Sequence, residues 1–158
     1  MTKPQMLGQL DSMKEFFDRS TRLLEEADSN MAPKEGMFTA AQQVAHAAQT
    51  VEWFFRGVFS PEGFDMNFEA MDNAVRSTTS LSAARTWMDR ACAEAKAAVA
   101  SHSEQEWAAR LPPGPILGGL PKTAIFSALT DHTAHHRGAL TVYTRLLGKV
   151  PPMPYMEM

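Results

Sequence analysis

A chain of 158 residues, 44% of them hydrophobic and 21% charged, is long enough for one domain with a real core and too apolar for long disordered stretches. A net charge of −3 without any basic run argues against nucleic-acid binding by a phosphate-tracking surface. No apolar run approaches the roughly 18 residues of a bilayer span, no basic-plus-apolar leader is seen, and the single cysteine, Cys92, cannot form an internal disulfide, so a cytoplasmic protein without membrane or nucleic-acid partners is expected.

The first helix is predicted over residues 3–27, from the stripe Leu7, Leu10, Phe16, Phe17, Leu23 and Leu24, with Asp28, Ser29 and Asn30 ending it. A loop at residues 31–36 follows, containing Pro33 and Gly36. Thr39 is a natural N-cap for a second helix over residues 40–57. Val44, Ala47, Val51, Phe54, Phe55 and Val58 form its main apolar side, and the run Ser60-Pro61-Glu62-Gly63 stops it. Residues 61–78 read two ways: a short helix around 67–75, or a loop packed by Phe64, Met66 and Phe68.

A third long helix starts at Thr79 or Ser80 and runs to about residue 100, rich in alanine, the best helix former. Cys92 falls inside it, where a small core residue is expected. Residues 103–106, Ser-Glu-Gln-Glu, look like a capped short turn. Pro112, Pro113, Gly114, Pro115, Gly118 and Gly119 make a stiff connection to a fourth helix over 122–147, with Gly148 at a C′ position. The tail 150–158 is expected to pack in extended form. No alternating β-branched run competes with these helices. The expected architecture is all-α: a single domain, residues 1–158, folded as a four-helix bundle with one long crossover connection over 57–79.

The last helix is unusual. Its apolar stripe is Ile125, Leu129, Leu140, Tyr143 and Leu147, and His132 and His136 lie in the middle of it, opposite Ser127, Thr130, Arg137, Thr141 and Arg145. An unpaired polar group inside a protein costs about 1–3 kcal/mol, so buried imidazoles need partners. Two histidines at i and i+4 lie about 40° apart around a helix axis. The commonest reason to build such a pair is a transition metal; two hydrogen-bonded core histidines are the alternative. A metal held by this pair needs a ligand from another helix. His46 is the candidate, in the middle of the second helix. It sits at the edge between the apolar side and the charged side of Glu52 and Arg56, sharing its face with Gln42, Gln49, Thr50 and Trp53. Such a face lines a site or borders solvent. His135 lies at the stripe's edge, and His102 ends the third helix; neither is expected to be a ligand.

Three imidazoles without a fourth protein ligand leave positions open, the pattern of catalytic rather than structural zinc. Zinc, nickel, iron(II) and copper all suit neutral imidazole. The zinc-protease signature is missing, because no Glu follows His132. No nucleophile elbow and no paired Glu-x-x-His motifs are present, so a site here is mononuclear.

The run Asp131-His132-Thr133-Ala134-His135-His136-Arg137-Gly138 resembles the C-terminal motif of the DinB/YfiT-like metalloenzyme family. The context Val44-Ala45-His46-Ala47, the segment 80–106 and the tail Leu146-Leu147-Gly148-Lys149-Val150-Pro151-Pro152 are also similar. One departure is Ala139, where that family often has Gln. The resemblance implies an up-down-down-up four-helix bundle, with His46, His132 and His136 as ligands of a divalent transition metal, zinc or nickel first. It implies a small-molecule substrate, since some such proteins use the low-molecular-weight thiols bacillithiol, mycothiol or glutathione. The leading expectation is a metal-dependent S-transferase that holds a thiol as thiolate, with Trp53, Tyr143 and Gln49 as pocket walls. A metal-dependent hydrolase and a non-enzymatic, stress-related metal-binding homodimer are the alternatives. Arg137 points away from the site on the wheel and is expected in an ion pair, at a subunit contact.

Overall fold

The computed structural model describes residues 1–156, and these are all-helical, with no strand among them. The sequence's own caps set most helix starts. In α1, Lys3–Thr21, the Thr2 side chain accepts from the Gln5 backbone, and Gln5 reaches back to the Thr2 N–H. In α2, Ala40–Gly57, Thr39 and Gln42 make the same reciprocal pair. The short helix of the ambiguous segment is formed as α3, Phe68–Arg76, capped by Asn67. Ser80 rather than Thr79 caps α4, Leu81–Ser101. Ser103 and Glu106 box the start of α5, Glu104–Ala108. The last helix, α6, is Ala124–Leu146, and Gly148 takes the left-handed conformation (φ 76°) that ends it.

One boundary differs from the sequence reading by six residues. α1 stops at Thr21, and residues 26–28 form a separate 3-10 turn instead of a last helical turn. The reason lies on α4. Arg85 donates to the Thr21 and Leu24 carbonyls, satisfying the orphan acceptors of a helix end there. The chain then folds inward to bury Leu24.

The four long helices pack in a ring. α1 contacts α4 and α6, and α2 contacts the same two. Lys3 at the start of α1 bonds the Ala100 carbonyl in the last turn of α4 and Glu104 just beyond it, so α1 and α4 run in opposite directions. Gln9 bonds Phe126 and Thr130 near the start of α6, and Phe16 meets Arg137 further along, so α1 and α6 run together. Between α2 and α4, Trp87 Nε1 donates to Glu52 at 2.6 Å, and Phe59, just past α2, stacks flat on His102 at 3.6 Å. These two helices therefore run together.

Trp107 of α5 is fully buried and meets Phe55, Phe59 and Phe126 edge-on, closing one end of the core. Thr133 and Thr144 are buried on α6 because each hydroxyl donates to the carbonyl four residues back. Gly57 has a packing role. A Cβ there would lie 2.2 Å from the Phe64 ring, so the missing side chain lets Phe64 seat against α2 beside Trp53 and Phe54. The tail up to residue 156 is non-helical and packs back on α1 and α6. Arg19 donates to the Pro154 carbonyl, and Tyr155 meets Phe16 edge-on. Arg137 is drawn into this contact. It lies over the Phe16 and Tyr155 rings and donates to the Tyr155 hydroxyl, so its partners among the described residues are aromatic groups rather than a carboxylate.

Candidate metal centre

α2 and α6 cross face to face in mid-helix, and this crossing brings three histidines together. A ligand nitrogen from each of His46, His132 and His136 lies within 4.8 Å of the others. The ring centroids are 5.1 Å (His46–His132), 4.8 Å (His46–His136) and 4.5 Å (His132–His136) apart. This is the one such group of metal-ligating side chains among the described residues. His136 is buried, and His46 and His132 are half-buried. Among the described residues, the hydrogen-bond partners of the His132 and His136 rings, Thr50 and Gln43, are neutral.

Burial disfavours the charged imidazolium, and it lowers the pKa of all three. For His46 the charge of Asp72 opposes the fall. His132 drops to about 4 and His136 to about 3, burial being joined in both by the repulsion of the neighbouring histidines. At neutral pH the cluster is three neutral imidazoles, the form a metal requires.

Two hydrogen-bonded connections hold the cluster across the helices. The Thr50 hydroxyl bonds the His46 carbonyl and lies 3.0 Å from His132 Nε2. Gln43, one turn before His46, bonds His136 Nδ1 through its Oε1 at 2.6 Å and Tyr143 through its Nε2 at 3.4 Å. Thr50 was within the face read from the sequence, but Gln43 was not.

A cavity of about 400 Å³ opens on the cluster, lined by His46 and His132 together with Gln49, Thr50, Trp53, Phe54, Phe68, Met71 and Asp72. Gln49 and Trp53 line it. Tyr143 does not. It is buried, and its hydroxyl donates to the Phe38 carbonyl at 2.9 Å. A helical wheel gives the direction of Tyr143 but not the depth at which α2 and residue 38 cover it. Asp72, which the ambiguity of residues 61–78 concealed, is the one carboxylate in the cavity wall and is paired with Arg76. Gln49, Trp53 and Met71 also border a second hollow of about 590 Å³ further along α2, walled by Glu52, Arg56 and Trp87.

The remaining candidates lie apart. His135 is exposed, with its ring 5.0 Å from that of His136. His102 is stacked on Phe59, and its Nδ1 meets the Ala98 carbonyl. Cys92 is buried against Met88, and burial pushes its thiol up to about 11, which is unsuited to nucleophilic attack.

Three clustered histidines from two helices, with the sequence around them, lead to a family. The model of the DinB family matches residues 5–158. The chain belongs to the DinB family. Among curated proteins no sequence matches it. The all-helical structure and the histidine cluster agree with a DinB-family protein competent to bind metal. No helix among the described residues is long and apolar enough to cross a membrane.

Proposed function

We propose that this DinB-family protein is a mononuclear metalloenzyme in which His46, His132 and His136 hold one divalent transition metal, zinc or nickel. The observation that carries the reading is the cluster itself: three neutral imidazoles converge within 4.8 Å beside an open cavity of about 400 Å³. The donor set fits such an ion, since imidazole suits zinc and nickel and three protein ligands leave positions for substrate. When bound, the ion supplies Lewis-acid chemistry and lowers the pKa of a coordinating thiol.

The proposed reaction is transfer of a low-molecular-weight thiol to a small electrophile. Trp53, Phe54, Phe68 and Met71 present an apolar wall that excludes water from the reacting groups, and Gln49 offers both a donor and an acceptor to a polar substrate. Asp72 favours a second reading, metal-dependent hydrolysis. It supplies the carboxylate that the histidine motif lacks and is in the wall to accept a proton.

The helix directions support an up-down-down-up four-helix bundle as one domain, and α1, α2, α4 and α6 are its members. Val142 and Leu146 stand 54% and 61% exposed on α6, which supports a homodimer. The single cysteine, with its thiol free and buried, supports a cytoplasmic setting.

Metal content of the untagged protein, measured by mass spectrometry beside a His132→Ala/His136→Ala variant, tests the centre. Near-stoichiometric metal lost in a still-folded variant is expected; no metal in the parent after reconstitution would overturn the reading. Screening thiols with an electrophilic test substrate then separates the two chemistries. Metal-dependent turnover that needs a thiol and survives Asp72→Asn is expected. Thiol-independent hydrolysis that Asp72→Asn abolishes would reverse the preference.

A further inference from the structure

A main-chain carbonyl fixes the direction of every hydrogen bond that reaches His136. The Phe38 carbonyl can only accept, so the Tyr143 hydroxyl spends its single proton there, at 2.9 Å. The Tyr143 oxygen is left as an acceptor. Its neighbour Gln43 must then present the amide NH2 to it, at 3.4 Å. With the NH2 so used, Gln43 Oε1 faces His136 Nδ1 at 2.6 Å, and a carbonyl oxygen there demands a protonated Nδ1. The proton of neutral His136 is therefore on Nδ1, and Nε2 carries the free lone pair. The opposite orientation of the Gln43 amide would set NH2 against Nδ1 and Oε1 against a tyrosine oxygen with no proton left to give.

We propose that Gln43 and Tyr143 are positioning residues that select this tautomer of His136 and so leave its Nε2 as the coordinating nitrogen. The relay rests on the metal reading above only for its purpose, not for its geometry. It runs from the loop before α2, through α6, back to α2 and again to α6. It therefore also fixes the rotation of the imidazole relative to both helices. Burial makes it effective. Gln43 and Tyr143 are 9% and 2% exposed, so water is poorly placed to substitute for either partner. Outer partners of this kind fix the tautomer and ring orientation of a ligating histidine, and their loss typically costs about 10- to 100-fold in metal affinity.

Histidine-labelled, metal-free protein at pH 8 tests the relay by long-range proton–nitrogen spectra, with the His136 signals assigned by a His136→Asn variant. The parent is expected to show His136 protonated on Nδ1. Gln43→Met keeps the size of the side chain but offers no comparable acceptor, and should convert His136 to a mixture of tautomers. It should also weaken Zn²⁺ binding, titrated against a chelating indicator, by about 10- to 100-fold. Gln43→Glu restores the acceptor and should restore the Nδ1-protonated form. Tyr143→Phe removes the source of polarity, frees the amide to turn over, and should give an intermediate spectrum. A circular-dichroism melt of each variant confirms that the spectra report folded protein.

A parent protonated on Nε2, or a Gln43→Met spectrum equal to the parent's, overturns the relay whether or not zinc binds. A parent that shows the Nδ1 form and its loss in Gln43→Met, but takes up no Zn²⁺, supports the relay and overturns the metal reading instead.

Discussion

Replacing Gly57 by alanine sets two effects of opposite sign against each other. In an isolated helix, alanine is favoured over glycine by about 1 kcal/mol. In the folded chain the new Cβ would lie 2.2, 2.8 and 2.9 Å from Cδ1, Cε1 and Cγ of Phe64. Carbon atoms pack at about 3.5–4.0 Å, so the ring has to retreat by more than about 1 Å. The contact includes Cγ, close to the backbone of Phe64, so a simple ring rotation cannot relieve it. Overpacking of this kind costs about 1–3 kcal/mol. Gly57→Ala is therefore expected to lower stability by about 1 kcal/mol net. Urea denaturation measures it, and a double-mutant cycle with Phe64→Ala isolates the cause. Without the ring, Gly57→Ala should become neutral or stabilising by up to about 1 kcal/mol. An equal effect in both backgrounds, or a stabilised single variant, would refute the reasoning.

The cluster also fixes the sign of a pH dependence. The folded-state pKa of each site histidine lies below its ordinary value of 6.5, so the unfolded chain binds protons more readily. Stability of the metal-free protein should be complete above pH 6.5. It should decline as the pH falls from there towards about 4 for His132 and about 3 for His136, which thermal melts across pH 4–8 measure. His132→Ala/His136→Ala should flatten that decline, and a parent more stable at pH 5 than at pH 7.5 would contradict the assignment of neutral imidazoles. Cys92, buried with its thiol raised to about 11, should react with an aromatic disulfide reagent at pH 8 only at the rate at which the fold opens. Immediate reaction in the native protein would place it at the surface.

Helix starts were legible in the sequence because their signals are local. Thr39 with Gln42, and Ser103 with Glu106, each complete a hydrogen-bonded pair within three residues, and Gly148 ends α6 by its own backbone freedom. The end of α1 was not legible, because it is set by Arg85, more than sixty residues away in the chain. α3 was ambiguous because nine residues hold too few turns for a periodic pattern, and with it Asp72 stayed hidden from the site.

The site divides in the same way. His132 and His136 share one helix, so their spacing alone aligns them. The convergence of His46 on them depends on how α2 crosses α6, which no single helix encodes. Gln43 was not among the residues read from the sequence, since its meaning comes from His136, 93 residues further on. Yet a signal was present. Gln43, His46 and Thr50 recur at intervals of three and four residues, so α2 carries its own polar stripe across its packed side, as α6 does with His132, His136 and Tyr143. Two such stripes cannot each be buried against hydrocarbon without leaving polar groups unpaired at about 1–3 kcal/mol apiece. Their mutual satisfaction requires that they face one another. The bonds Gln43–His136, Gln43–Tyr143 and Thr50–His132 are that pairing, and it fixes the register in which α2 crosses α6.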